Sequence, residues 1–484
     1  MARTPLSIPL GFYQSESLTF SAQRCINWIP VIPQGEALNN RALMMRPGLK
    51  QFADTQLGAC RGAWVFNEVP YFVNGNSLTS VSSTGVVTDH GTISGTAMVS
   101  LASNKSFLVI AVPGGDAYGF DGTTLTKITD PDFKPSDSVV FKDGFFVFSA
   151  SDGNSFFHSE INDPFSYNAL DFGSAEVSDD RIVSLHVNHN ELYALGTLTI
   201  EVFQNVGGTG FVFQRIPGAN ITRGSASKYG TVDFDGSFVF MGGGVNEKAS
   251  IWRVIGSSQA QKISTDAIDN AIQMFTKEEI ESAFSMTYSE KGQLFAIFTF
   301  NSNRIPGRTF VYNGTASALA GNHVWFELQS GITDANWRCN AIVKAYGKIL
   351  CGDASDGRIG ELDKNTFDEY GNPIFQQAAT APFSQNGTAI FAGELEATFE
   401  AGVGLTVGQG SNPVIRMDFS DDGGRTWSNE FKRFLGKIGE FGHAAIWRRQ
   451  GRFPDQRVVR FTKTDPVKGN LIRIAATPQL GSGN

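Results

Sequence analysis

From about residue 60 the chain repeats one arrangement of apolar and polar positions: a strand, a polar turn, then a strongly apolar strand. The turns fall at Asn67-Glu68, Asn104-Lys105, Asp143-Gly144, Asn188-His189-Asn190, Asp235-Gly236, Lys291-Gly292 and Tyr346-Gly347. The strands that follow begin near Tyr71, Phe107, Phe145, Leu192, Phe238, Leu294 and Ile349, at spacings of 36, 38, 47, 46, 56 and 55 residues. Four-stranded propeller blades take about 40 to 50 residues each, and radial repetition leaves few unprotected strand edges. The repeat is degenerate, without a WD or kelch signature. It predicts an all-β chain with a β-propeller-like body of six to eight blades over residues 56–365. An elongated β-array is the alternative.

Outside the repeat the pattern changes. Residues 1–55 read as an extended arm, because Pro5, Pro9, Pro30, Pro33 and Pro47 each remove a backbone donor and fix φ. Such an arm either wraps a neighbouring surface or covers its own domain. Thr276-Lys277-Glu278-Glu279 fits a capping box, with Ile280 and Phe284 expected on one helical face behind it. Ile268 and Ile272 make a similar pair upstream, and these short helices are expected to seal a gap between blades. Residues 366–392 are polar and small, with Gly371, Pro373 and Pro382, and read as a linker. A C-terminal antiparallel, β-sandwich-like module follows over 393–480, and residues 481–484 are expected to be disordered. Within the module, 414–419 alternate with the two-residue period of a half-buried strand. Asp422-Gly423-Gly424 then lets the chain turn back as a hairpin.

Composition sharpens this picture. Gly is frequent (53 of 484 residues) and there are 40 Phe, which suits many short strands and turns. No run of about 18 apolar residues exists, so no transmembrane helix and no membrane insertion are expected. The opening MARTPLSIPLGFY lacks a continuous apolar stretch, which argues against a signal peptide. Cys25, Cys60, Cys339 and Cys351 form no C-x-x-C pair and sit among apolar residues, so reduced core positions are expected. A Cys339–Cys351 bridge is geometrically possible if their strands pair. The six His are scattered, and no metal site or cofactor is expected. Charge is uneven. From 416 to 473 there are 13 Lys and Arg against 7 Asp and Glu, a net of +6, whereas the whole chain is −8. The rest therefore sums to −14, a basic module on an acidic body.

Ser420, Asp422, Gly424 and Trp427 fit the Asp-box pattern S-x-D-x-G-x-T-W, which is similar to sialidase repeats. Its physics is that of a turn: Asp and Gly hold the hairpin and the aromatic packs beneath it. Sialidases also carry several boxes and an arginine cluster, and neither is present. Paired carboxylates for hydrolysis must sit roughly 5 to 10 Å apart. Asp179-Asp180, Asp233 with Asp235, and Asp421-Asp422 qualify only by adjacency, and adjacent acids on strands usually point to opposite faces. No dinucleotide fingerprint, P-loop or G-x-S-x-G elbow occurs in a fitting context. No catalytic residue is predicted. The best functional candidates are basic: Lys432, Arg433, Lys437, Arg448, Arg449, Arg452, Arg457 and Arg460, interleaved with Trp447 and Phe453. They read as a solvated strand face, a protein docking surface, with Trp447 as its anchor, or a contact for nucleic acid. The acidic body speaks against general DNA binding.

At these residues the sequence resembles the packaged-DNA stabilisation, or tail hub and nozzle, proteins of short-tailed bacteriophages. The strings are GVGLTVGQGSNPVIRMDFSDDGGRTWSNE (402–430), LGKIGEFG (435–442), WRRQGRF (447–453) and TDPVK (464–468). Upstream, RCINWIP (24–30), RPGL (46–49), ISTDAI (263–268) and GSFVFMGGG with the following IWRV are similar. His443-Ala444-Ala445 depart from the pattern, where basic or bulkier residues are expected. The resemblance implies a structural protein without enzymatic activity, assembled in the host cytoplasm and carried in the virion tail. It implies a homo-hexameric ring below the portal and adaptor proteins that continues and closes the DNA exit channel and retains the genome. A needle or plug, a tailspike or fibre, and transient contact with passing double-stranded DNA are the further partners implied. The alternative is a carbohydrate-binding or sialidase-like propeller used in host recognition.

Overall fold

In the computed structural model, each of the seven polar turns closes the first hairpin of an antiparallel sheet. Residues 3–176, 178, 180–384, 389–453 and 455–480 are described; Asp179 and the expected disordered tail at 481–484 lie outside them. The sheets are seven propeller blades, at 60–92, 100–127, 136–174, 182–221, 224–262, 284–328 and 339–363. Left-handed backbone at the turns is taken by Asn67, Glu68, Asp143, His189, Asp235, Lys291 and Tyr346, several followed by Gly. Asn104 instead accepts the amides of Ser106 and Phe107 on its side-chain oxygen.

The apolar strands are buried on both faces because each blade is packed between two others. In strand Leu108–Ala111, Leu108 and Ile110 meet Phe66, Tyr71 and Val73 of blade 1. The alternate residues Val109 and Ala111 meet Phe146 and Phe148 of blade 3. The two-residue period thus divides one short strand between two cores. The same arrangement recurs around the ring. Each large apolar side chain buried this way contributes roughly 1.5–3 kcal/mol.

The ring closes with a strand from the far end of the chain. Gly48–Asp54, which the sequence reading placed in the extended arm, runs antiparallel to Arg358–Asp363 and supplies the fourth strand of blade 7. The helices Asp266–Ile272 and Lys277–Glu281 precede blade 6. Thr265 caps the first and the Thr276–Glu279 capping box starts the second. Ile268 and Ile272 are buried in the blade 5–blade 6 core. Phe284 does not share the helix with Ile280; it opens strand Phe284–Glu290. A third helix, Gly314–Ala320, capped by Asn313, was not foreseen.

The C-terminal module is two sheets. One runs Ala445–Phe453, Ile390–Phe399, Leu471–Leu480, Ala42–Met45, Trp28–Val31, with Thr4–Leu6 beside Leu471–Leu480. The other runs Cys25–Ile26, Gln376–Ala379, Gln456–Lys463, Val414–Ser420, Phe431–Phe434, and continues blade 6 through a parallel bridge between Ile26 and Glu327. The arm is thus built into the module. The stretch 366–392, read as a linker, carries Gln376–Ala379 in the middle of that sheet. Trp28, Leu395, Phe399, Trp447 and Phe461 share one core with Met286 and Cys339 of the last two blades and Trp337 between them. Propeller and sandwich are joined through packed core. All four cysteines are buried thiols.

Candidate docking surface and the closed propeller channel

The basic residues divide into two groups. Lys432, Arg433, Lys437, Arg448, Arg449 and Arg452 are exposed. Arg433 ties strand Phe431–Phe434 to Ala445–Phe453 of the other sheet, with Nε donating to the Ile446 carbonyl at 2.6 Å. Arg448 is 73% exposed, its side chain 3.3 Å from Glu394. Arg449 lies at a bulge, with φ 57°, opposite the register break between Ala392 and Glu394. The bulge turns two consecutive arginines to solvent. The segment 431–452 also exposes Phe434, Ile438 and Phe441, and the loop at 402–410 exposes Leu405 and Val407.

The other group is internal, which corrects the sequence reading. Trp447 is not a surface anchor: it is fully buried, and its Nε1 donates to the Phe431 carbonyl at 2.9 Å. Arg457 is 4% exposed. It makes two bonds to Asp421, at 2.6 and 2.7 Å, and lies over the rings of Phe419 and Phe453. Arg460 forks onto Asp418 and lies 3.7 Å from the Trp427 ring centre. Gln456–Lys463 is an interior strand, and Arg457 and Arg460 meet their counter-charges within the sandwich.

The Asp-box segment is a closed turn. Ser420 Oγ donates to Asp422 Oδ1 at 2.7 Å and accepts the Gly424 amide. Asp422 also accepts the amides of Arg425 and Thr426 and the Thr426 hydroxyl. These hydrogen bonds, Thr426 foremost, hold its carboxyl far below the usual range. Gly424 has φ 95°, and a Cβ there would meet Ala22 at 2.8 Å. Trp427 Nε1 donates to the Gly424 carbonyl.

Sequence reasoning missed the joint between arm, propeller and sandwich. Glu327 is buried between Arg24 and Arg308, each donating at 2.7 Å. Burial opposes its charge, but the two guanidinium groups outweigh that and hold Glu327 below its ordinary value. Nearby, buried Arg46 pairs with Glu369 at 2.5 Å and donates to Asn27 at 2.8 Å, while Trp337 donates to the same carboxylate. Arg24 and Arg46 belong to the RCINWIP and RPGL strings. The signal was present as charged residues inside apolar surroundings.

The inner strands of the blades enclose a cavity of 790 Å³ on the propeller axis. Tyr229 of blade 5 crosses it, its hydroxyl donating to the Met98 carbonyl at 2.7 Å. Burial and the nearby Asp137 push the Tyr229 phenol above its ordinary range, so it stays a donor. Arg181 and Lys228 share one counter-charge there, Asp137, at 2.6 and 2.9 Å. The cavity has the size of a small-molecule pocket, and its axis is obstructed. Among the described residues no group of three or more His, Cys, Asp or Glu is placed to hold a metal ion. Nor, among the described residues, is any helix long and apolar enough to cross a membrane.

Comparison with known proteins places both parts of the chain. Residues 6–367 match the family model described as bacteriophage P22 Gp10, beta-propeller, and residues 377–478 match bacteriophage P22 Gp10, beta-sandwich. The tail hub protein gp10 of Salmonella phage P22 is 24% identical over 323 residues, 64% of this chain. The matched region spans 66% of that relative, just under two thirds of its length. Among solved structures, a catalytically inactive virginiamycin B lyase from Staphylococcus aureus aligns with TM-score 0.44 and 13% identity, over 65% of this chain and 98% of the lyase. BamB from Moraxella catarrhalis aligns with TM-score 0.33 and 8% identity, over 66% and 97%. Neither likeness bears on function.

Proposed function

The chain belongs to the bacteriophage P22 Gp10 family, through its propeller and its sandwich alike, and we propose on that basis that it is a structural, non-enzymatic component of a phage tail hub. In this reading it assembles as a homo-hexameric ring in the host cytoplasm and is carried in the virion tail. The ring lies below the portal and adaptor proteins, continues the DNA exit channel and retains the packaged genome. A needle or plug and a tailspike or fibre attach beyond it. The observation that carries the reading is the two-part family match along the chain. The obstructed propeller axis adds a constraint: double-stranded DNA has no path through a single subunit and must pass through a lumen enclosed by several. Ring closure supplies retention, because modest contacts made simultaneously give high avidity.

Six exposed cations, Lys432, Arg433, Lys437, Arg448, Arg449 and Arg452, form the docking surface in this proposal. The test is an early nonsense codon in the gene, with nuclease sensitivity of capsid DNA and electron micrographs of the lysate. Heads that package and then leak, with truncated tails, are expected. Full heads with complete tails that fail only in adsorption would replace this reading with the carbohydrate-directed one.

A further inference from the structure

We propose that the basic end of the sandwich docks on blade 3 of a second copy of the same chain, head to tail. The inference deepens the ring reading and rests on it for ring closure, but the pairing of faces comes from the distribution of charge. Counted from first to last strand, six blades carry net charges between −1 and +1. Blade 3 alone carries −5; Asp137 and Asp171 are buried, whereas Asp143, Asp152, Glu160 and Asp163 are exposed. With its flanking loops, 130–176, it has nine Asp and Glu against two Lys. Across the molecule, residues 431–452 hold six Lys and Arg against one Glu, and all six cations are exposed.

Both faces carry apolar surface of the kind that a protein contact covers. On blade 3 the hairpin between its last two strands exposes Glu160, Ile161 (62%) and Asp163, and the outer strand exposes Leu170 (78%). Among the described residues neither Glu160 nor Asp163 forms an ion pair. On the sandwich, the segment that carries the cations also exposes Ile438 and Phe441, Phe441 at 74%. Apolar residues rimmed by charge mark association surfaces.

Position decides the occupant. The sandwich continues blade 6 and packs on blade 7. In a ring of seven, blade 3 is three steps from each, on the opposite side. The two faces of one chain therefore cannot meet, whereas two copies in the same orientation bring them together. Such a contact uses different patches on the two partners and repeats in one sense, giving a closed ring or an open filament. Opposite charge selects this pairing and speeds encounter, whereas either face against its own copy would be repelled.

The test uses the full chain with cysteines introduced on both faces. Ala169→Cys and Gly442→Cys are suitable: both sites are exposed, a Cβ at Gly442 meets nothing within 4 Å, and the native cysteines are buried. With a short bismaleimide linker, the double variant should give a ladder of multimers, and each single variant at most dimers. Charge reversal of either face alone, Arg448→Glu with Arg449→Glu or Glu160→Lys with Asp163→Lys, should weaken association at least tenfold by sedimentation. Reversing both faces in one chain should restore it. Mixing the two singly reversed chains should restore it too, with the two kinds alternating, because the intact and the reversed pairs of faces are both complementary. If the native chain self-associates but the double-cysteine variant gives no ladder, the pairing is wrong and ring assembly stands. If it neither associates nor cross-links, the pairing is wrong and the self-assembling ring falls with it, while the nonsense-codon test still decides the tail role.

Discussion

The Tyr229 hydroxyl donates to the Met98 main-chain oxygen at 2.7 Å and so ties blade 5 to the approach to blade 2, across the propeller axis. Two blades lie between them on the shorter way round. The bond braces the ring and obstructs its centre.

Replacing Tyr229 with Phe keeps the ring and removes the donor. A loss of about 1 kcal/mol in urea unfolding is expected. Tyr229→Ala also opens the axial cavity, yet DNA release from particles carrying it should keep its native rate, because the duplex passes outside the subunit. A faster or slower release by a stably folded Tyr229→Ala protein would return the propeller axis to the DNA path.

The two groups of arginines predict opposite phenotypes. Arg457→Ala leaves Asp421 without its paired cation and uncovers Phe419 and Phe453; a loss of about 3 kcal/mol is expected. Trp447→Ala empties a fully buried site and should cost about 3–5 kcal/mol. Arg448→Ala and Arg449→Ala remove only exposed groups and should stay within about 0.5 kcal/mol, while weakening association. Chemical unfolding and sedimentation of the same four variants separate the classes. Equal destabilisation by all four would mean that the exposed pair is also structural.

The blades were legible because their signal is local. Each hairpin joins neighbouring strands, and its turn residues are those that accept left-handed backbone. The strand Gly48–Asp54 was not, since its partner Arg358–Asp363 lies some three hundred residues away and GLKQFAD has no marked period. The Asp-box turn was readable for the same local reason. Trp447 was misjudged because it sits beside Arg448 and Arg449, although its alternation with Ala445 marks the buried face. Arg457 and Arg460 look exposed in sequence because their counter-charges, Asp421 and Asp418, come from another strand. The charge of blade 3 was visible only as part of a total.

The turn at Asp422 has its own pH signature. Its carboxyl is held below the ordinary value by hydrogen bonds from Thr426, Ser420 and Arg425. A depressed carboxylate contributes stability that is complete above the unfolded value, about 3.9, and is lost as pH falls through the folded one. Protection of the Arg425 and Thr426 amides in hydrogen exchange should therefore persist below pH 4 in the native protein. In Asp422→Ala that protection should be lost at every pH. Its survival in the variant would place the turn's stability in Trp427 packing instead.

Lys463 predicts a slope at the other end of the scale. Its ammonium is fully buried, with Nζ donating to the carbonyls of Asp465 and Val467 at 2.7 and 2.5 Å, and burial pushes its pKa down to about 7. The unfolded chain keeps the ordinary value, near 10.4. Between these two values the unfolded state binds more protons, so stability rises with pH. Below about 7 both states are charged and the cost of burying the ammonium is constant; above about 10.4 both are neutral and it is gone. Within the window the slope is at most about 1.4 kcal/mol per pH unit. Lys463→Met, close in volume and without a proton to lose, should flatten it. Urea unfolding of the two proteins at pH 7, 8 and 9 checks this: the native protein should gain stability relative to the variant at each step. Parallel curves would mean that the carbonyls hold the ammonium charged throughout, and that Lys463 acts in the sandwich core as a fixed cation.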